Sequence, residues 1–82
     1  MSKRVLIIKN RETEITVHKE YLHIESFEQN FIISFIHIKA IYINKSLNLD
    51  IGECYKISQN IPLFLIDHNG YILSELKRVE DA

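Results

Sequence analysis

The stretch from Leu47 to Leu76 constrains this chain most, because it orders a capped helix, a proline, an apolar strand and a tight turn one after another. Asp50, followed three residues on by Glu53, predicts a helix N-cap with a reciprocal acidic partner. Leu49 and Cys54 fall where a hydrophobic staple pins the entry. The helix is expected to run to about Gln59 and to end on Asn60 in the left-handed conformation. Pro62, the only proline in the chain, forbids continuation, and Leu63-Phe64-Leu65-Ile66 reads as a short strand apolar on both faces. Asn69-Gly70 predicts a two-residue hairpin of type I′, which needs two positive φ angles in succession. Tyr71 to Leu76 is the return strand.

Upstream the period changes to two. Val5 to Ile8 is an apolar strand, and Asn10-Arg11-Glu12-Thr13 a polar loop. Ile15, Val17, Leu22 and Ile24 alternate with polar residues on both sides of a Lys19-Glu20 turn, which sets Val17 opposite Leu22 and Ile15 opposite Ile24. Glu28-Gln29-Asn30 makes the next turn. Phe31 to Ile36 follows as a strand, His37-Ile38-Lys39 as a bend and Ala40 to Asn44 as a further strand. Lys77 to Ala82 loses the pattern and is expected to fray. The fold class is therefore mainly β (α+β by count): about seven strands, with one helix near residues 50–59. Strands two to four form a meander, in two small packed β-sheets or one sheet rolled on itself. Residues 1–82 read as a single β-rich domain.

The 82 residues include fifteen isoleucines, a β-branched supply suited to strands and to the thin core such a length allows. No apolar run approaches the roughly 20 residues of a membrane helix, and Val5 to Ile8 is too short for a signal peptide. A single cysteine excludes an internal disulfide framework and fits a reducing cytoplasm. A net charge of −1 gives no electrostatic footprint for nucleic acid over the whole domain.

Catalytic constellations are not legible. His18, His23, His37 and His68 fall on strands or turns without the spacing of a zinc site. Cys54 reads as a small core residue rather than a nucleophile. Asp67-His68 lies beside a turn where polar residues are expected, Gly52 and Gly70 are isolated, and capping accounts for Asp50 and Glu53. The chain alone is expected to be no enzyme, with no catalytic residue, metal ligand or cofactor of its own.

Three passages together resemble the N-terminal β-domain of the CRISPR-associated integrase, the metal-dependent endonuclease of spacer acquisition in antiviral defence. Arg4 to Ile8 with Ile15-Thr16-Val17 and Tyr21-Leu22-His23-Ile24 is similar to its opening strand and first hairpin. Ile33 to Ile43 is similar to its strand-bend-strand. Leu47 to Leu76 is similar to its helix, Ile-Pro strand and Asn-Gly hairpin. Ser34 stands where the family often has proline and His37 where it often has aspartate, so the bend is expected to be held differently; Asn60 replaces the glycine common before Ile-Pro.

The resemblance implies a dimerising, DNA-end-positioning domain, as a fragment or truncated product lacking the catalytic helical domain that carries the family's divalent metal site. The alternative is a free-standing interaction module of similar fold that pairs with an integrase or another protein. Implied partners are a second copy, the CRISPR adaptation partner protein and DNA ends, with no membrane. Members often wedge an aromatic or histidine from the loop after the first strand against the terminal base pair. That loop here has no aromatic, which leaves Lys9 and Arg11 as the DNA-binding candidates. Tyr71, Leu73 and Leu76 on the return strand are the candidates for the dimer interface, where an open edge or apolar patch invites a two-fold partner.

Overall fold

The computed structural model describes residues 2–47 and 49–76, with residue 51 described by its backbone alone. The elements run β1 (Arg4–Ile8), β2 (Glu14–Val17), β3 (Tyr21–Glu25), β4 (Asn30–Ser34), a 3₁₀ turn (Phe35–His37), β5 (Ile38–Asn44), α1 (Ile51–Ser58), β6 (Leu63–Ile66) and β7 (Ile72–Leu76). They form two sheets, β2-β3-β4 and β1-β5-β6-β7. The architecture is the mainly β one expected, with seven strands and one α-helix among the described residues. The expected fraying of residues 77–82 lies outside them.

The meander follows the alternation in the sequence. Ile15 pairs with Ile24 and Val17 with Leu22, the register expected. Main-chain bonding from His18 N–H to the Tyr21 carbonyl (2.9 Å) closes the turn, and the His18 and Tyr21 rings stack at 4.3 Å. β4 continues the sheet with Leu22 opposite Ile33 and Ile24 opposite Phe31.

The second sheet is mixed. β1 and β6 flank β5 in parallel, and β7 returns antiparallel to β6. Parallel neighbours need long crossovers; the whole meander supplies the first and α1 the second. The strand expected from Ala40 begins earlier, at Ile38, because Arg4 pairs with Ile38 but Val5 with Ala40, leaving Lys39 as an extra residue. That bulge shifts the alternation so that Ile38, Ile41 and Ile43 all enter the core, each at most 1% exposed. The bend before it is a 3₁₀ turn. The Glu20 carbonyl holds it by accepting from Phe35 N–H (3.0 Å) and Ser34 Oγ–H (3.3 Å).

One apolar cluster joins the layers: Ile15, Leu22 and Ile24 from the meander, Ile41, Ile43 and Leu63 from the mixed sheet, and Cys54 and Ile57 from α1. The helix packs against β2, β6 and β7. Asp50 Oδ1 accepts from Glu53 N–H at 2.7 Å, as a cap should. The reciprocal half is not formed: Glu53 Oε1 faces Lys56 Nζ at 3.8 Å, and its Oε2 is buried without a hydrogen-bond partner.

Two local expectations are corrected. Asn60 is not left-handed, since no non-glycine residue among those described has positive φ. The helix ends by tightening, with Asn60 N–H and Ile61 N–H both donating to the Ile57 carbonyl (3.0 Å each), while Asn60 Nδ2 donates to the Lys56 carbonyl (3.0 Å). The β6–β7 turn is not type I′ either. Gly70 N–H donates to the Asp67 carbonyl (3.0 Å) and Asp67 N–H to the Tyr71 carbonyl (3.0 Å). Within this turn only Gly70, at φ 92°, is left-handed. This is the three-residue loop in which a four-residue turn is followed by a left-handed glycine. The Asp67 carboxylate decides between the two forms, accepting from Asn69 N–H (2.9 Å) and Tyr71 N–H (3.0 Å) through Oδ1.

Candidate nucleic-acid interface and dimer edge

β1, β5 and β6 are parallel, so their carboxyl ends and the loops that follow lie at one end of the mixed sheet, where sheets of this kind commonly expose ligand-binding loops. Lys9 leaves β1 there, Lys45 leaves β5 and Asp67-His68 leaves β6. Asn44, 6% exposed, ties these loops together. Its Nδ2 donates to the Lys9 carbonyl (2.7 Å) and its Oδ1 accepts from Ser46 N–H (2.9 Å). A buried amide that finds both a donor and an acceptor stabilises the arrangement, whereas one left half-satisfied would cost about 1–3 kcal/mol. Lys45 N–H donates to the Ile66 carbonyl (2.9 Å), joining β5 to β6 at the same end.

The two DNA candidates are both exposed but are not equivalent. The Lys9 side chain lies over the β6–β7 turn, with Cε and Nζ each 3.9 Å from where a Cβ on Gly70 would stand. It is therefore beside the turn that leads into β7. Arg11 sits in the turn that the Asn10 side chain builds by accepting Glu12 N–H (2.9 Å) and the Asn10 carbonyl closes with Thr13 N–H (3.1 Å). That turn leads into Glu14, which pairs with Glu25, so Arg11 is flanked in the chain by Glu12 and Glu14. Lys45 was missed in the sequence because only the parallel pairing brings the end of β5 to the same end of the sheet as the end of β1. Phe27 was missed as well: 101% exposed in the β3–β4 loop, it offers an unobstructed ring at the end of the meander from which Arg11 projects. A ring so exposed can stack on a base or enter a partner's pocket.

The dimer candidates divide in the same way. β7 is an edge strand, and Tyr71 (72% exposed) and Leu73 (50% exposed) lie open, as does Ile72 between them, which sequence reasoning passed over. Leu76 instead packs half-buried on the core. Leu65 pairs with Ser74 but Ile66 with Ile72, so Leu73 is an extra residue that bends this edge.

Two side chains are held away from their ordinary pKa values. Hydrogen bonds from the Tyr71 and Asn69 amides, with the charge of His68 beside them, hold the Asp67 carboxyl below its ordinary value of 3.8 despite some desolvation. Burial first, then the charges of Asp50 and Glu53, push the Cys54 thiol above 9.0, so it is protonated at neutral pH. No group of three or more His, Cys, Asp or Glu among the described residues is arranged to hold a metal ion. No helix among them is long and apolar enough to cross a membrane.

No protein-family model and no curated protein matches the chain. Solved structures do. A partial Cas6-RT-Cas1–Cas2 complex superposes with a TM-score of 0.76 at 15% identity, over 96% of this chain and 24% of that one. A second Cas6-RT-Cas1–Cas2 complex gives 0.74 at 16%, over 99% of this chain and 9% of that one. A CAS1 protein from Thermotoga maritima gives 0.69 at 13%, over 94% of this chain and 24% of that one. The chain thus spans a quarter or less of the length of the chains it matches. It shares its fold with part of a CAS1 protein and of two Cas1-containing complexes, in agreement with the sequence resemblance.

Proposed function

We propose that this chain serves CRISPR adaptation as a non-catalytic β-domain that pairs with a second copy and positions the end of a DNA duplex. The observation that carries the reading is the superposition of nearly the whole chain on Cas1-containing structures, which agrees with three sequence passages in the same order. In this reading β7 supplies the pairing surface, because an apolar edge strand is commonly covered by a two-fold mate. Lys9 and Lys45 contact phosphate at the carboxyl ends of β1 and β5, with Arg11 a weaker contributor among its acidic neighbours. Any metal-dependent chemistry on DNA belongs to residues outside those described.

Sedimentation at micromolar concentration tests the pairing. A dimer is expected, and Tyr71→Glu with Leu73→Glu should convert it to monomer. A monodisperse monomer of the parent chain at high micromolar concentration would sink the pairing role. DNA-end binding is expected to be weak, to fall steeply with salt and to be lost in Lys9→Glu with Lys45→Glu. Unchanged binding at low salt would refute the positions assigned. Incubation with DNA and manganese should give no cleavage above a mock purification.

A further inference from the structure

A groove of about 960 Å³ separates the two sheets on the side away from β7. Every residue from 4 to 10 lines one wall and every residue from 31 to 34 lines the other. Side chains alternate across a strand, so consecutive lining residues mean that each strand meets the groove along its backbone edge. β1 and β4 are edge strands of their respective sheets, and both walls therefore present main-chain donors and acceptors. Val5 (47% exposed), Ile7 (60%) and Ile32 (64%) add apolar side chains that the fold leaves open.

We propose that this groove binds an extended segment of another polypeptide, which adds as a strand against β1 and carries apolar residues at alternate positions with an acidic residue at the end that meets Arg4. The backbone edges call for an occupant that is itself a strand, and the five residues of β1 set its length at about 17 Å. Charge selects its chemistry. Arg4 and His37 stand at one end of the groove, while Lys9 and Glu28, the one acid among the described lining residues, belong to the other, so the Arg4 end is basic without an acid beside it. A second copy of β1 fits poorly. Antiparallel pairing centred on Leu6 would set Lys3 against Lys9, parallel pairing would set Arg4 against Arg4, and like charges across a strand pair destabilise it. This site is remote from the β7 edge and does not depend on the pairing role proposed above.

The test is a titration of the isotopically labelled chain with a blocked hexapeptide that alternates isoleucine and threonine and ends in aspartate. Saturable amide shifts confined to residues 4–8 and 31–34, with slowed hydrogen exchange there, are expected. Arg4→Glu should weaken the aspartate peptide about fivefold and strengthen its lysine counterpart by a similar factor. The same result in the Tyr71→Glu, Leu73→Glu background would separate this site from the dimer edge. Shifts centred on β7, no saturation at millimolar peptide, or peptide-free broadening of β1 and β4 signals with protein concentration would each overturn the proposal, the last by showing that a second copy fills the groove.

Discussion

In the meander each strand pairs with the next along the chain, across the turn at Lys19-Glu20 and the Ser26–Gln29 loop. In the mixed sheet β1 waits for β5 until the whole meander has been made, and β5 reaches β6 only after α1. The two sheets nevertheless bury the same kind of residue in one cluster. Local pairing lets the turns set register, so β-branched alternation suffices and an ordinary Lys-Glu turn is tolerated. Non-local pairing has no turn to set it, and loop-closure entropy opposes it. The parallel part of the mixed sheet accordingly carries the Lys39 bulge and the buried Asn44 bridge, while its one local pair, the β6–β7 hairpin, takes its register from the turn at Gly70 and bends at Leu73.

The largest test asks whether the sheets are one cooperative unit. Leu63→Ala in β6 and Leu22→Ala in β3, both 0% exposed, should each cost about 2–5 kcal/mol by urea denaturation in a single transition. A separate, earlier transition for the meander would show that the shared core does not couple them. Next in size, Asn44→Ala should cost about 1–3 kcal/mol, because it strands the Lys9 carbonyl and Ser46 amide at the end of the parallel strands. Since the meander has no such bridge, an unchanged midpoint would remove the contrast.

The two hairpin turns sharpen it further. Gly70→Ala should cost about 1–2 kcal/mol from its positive φ alone, as the nearest side-chain atoms leave room for the added methyl. Glu20→Ala should stay within about 0.5 kcal/mol, because Glu20 holds the 3₁₀ turn through its carbonyl. A large effect at Glu20 would mean that the meander, too, relies on a specific side chain.

The smallest effect is on pH. Asp67 is held below its ordinary value in the folded hairpin, so its contribution is present above about 3.8 and is lost as pH falls through the depressed folded value. Amide exchange at Asn69 and Tyr71 should rise in that acidic window, and Asp67→Asn should remove the dependence. No corresponding change is expected at the Lys19-Glu20 turn.

Elements with local causes were legible in the sequence. The Asp50 cap, the Pro62 stop, the strand Leu63–Ile66 and the Ile15–Ile24 and Val17–Leu22 register each rest on a few adjacent residues, and each is present. The failures are also local in origin but were decided by bonds the sequence does not order. Asn69-Gly70 is compatible with two hairpin loops, and Asp67 selected the one that leaves Asn69 right of the left-handed region. Asn60 has the residue type of a left-handed cap, yet the Ile57 carbonyl took both following amides.

Of the candidate site, the sequence could identify Lys9 and Tyr71 as exposed ends of patterned segments, because alternation and turn chemistry place them outside a core. It could not set Lys9 over Gly70, bring Lys45 to the same end, or leave β1 and β4 edge-on across a groove. Those relations follow from which strands lie side by side. Parallel pairing joins segments far apart in the chain through side-chain packing and loop closure summed over the whole domain, and no window of sequence contains that sum.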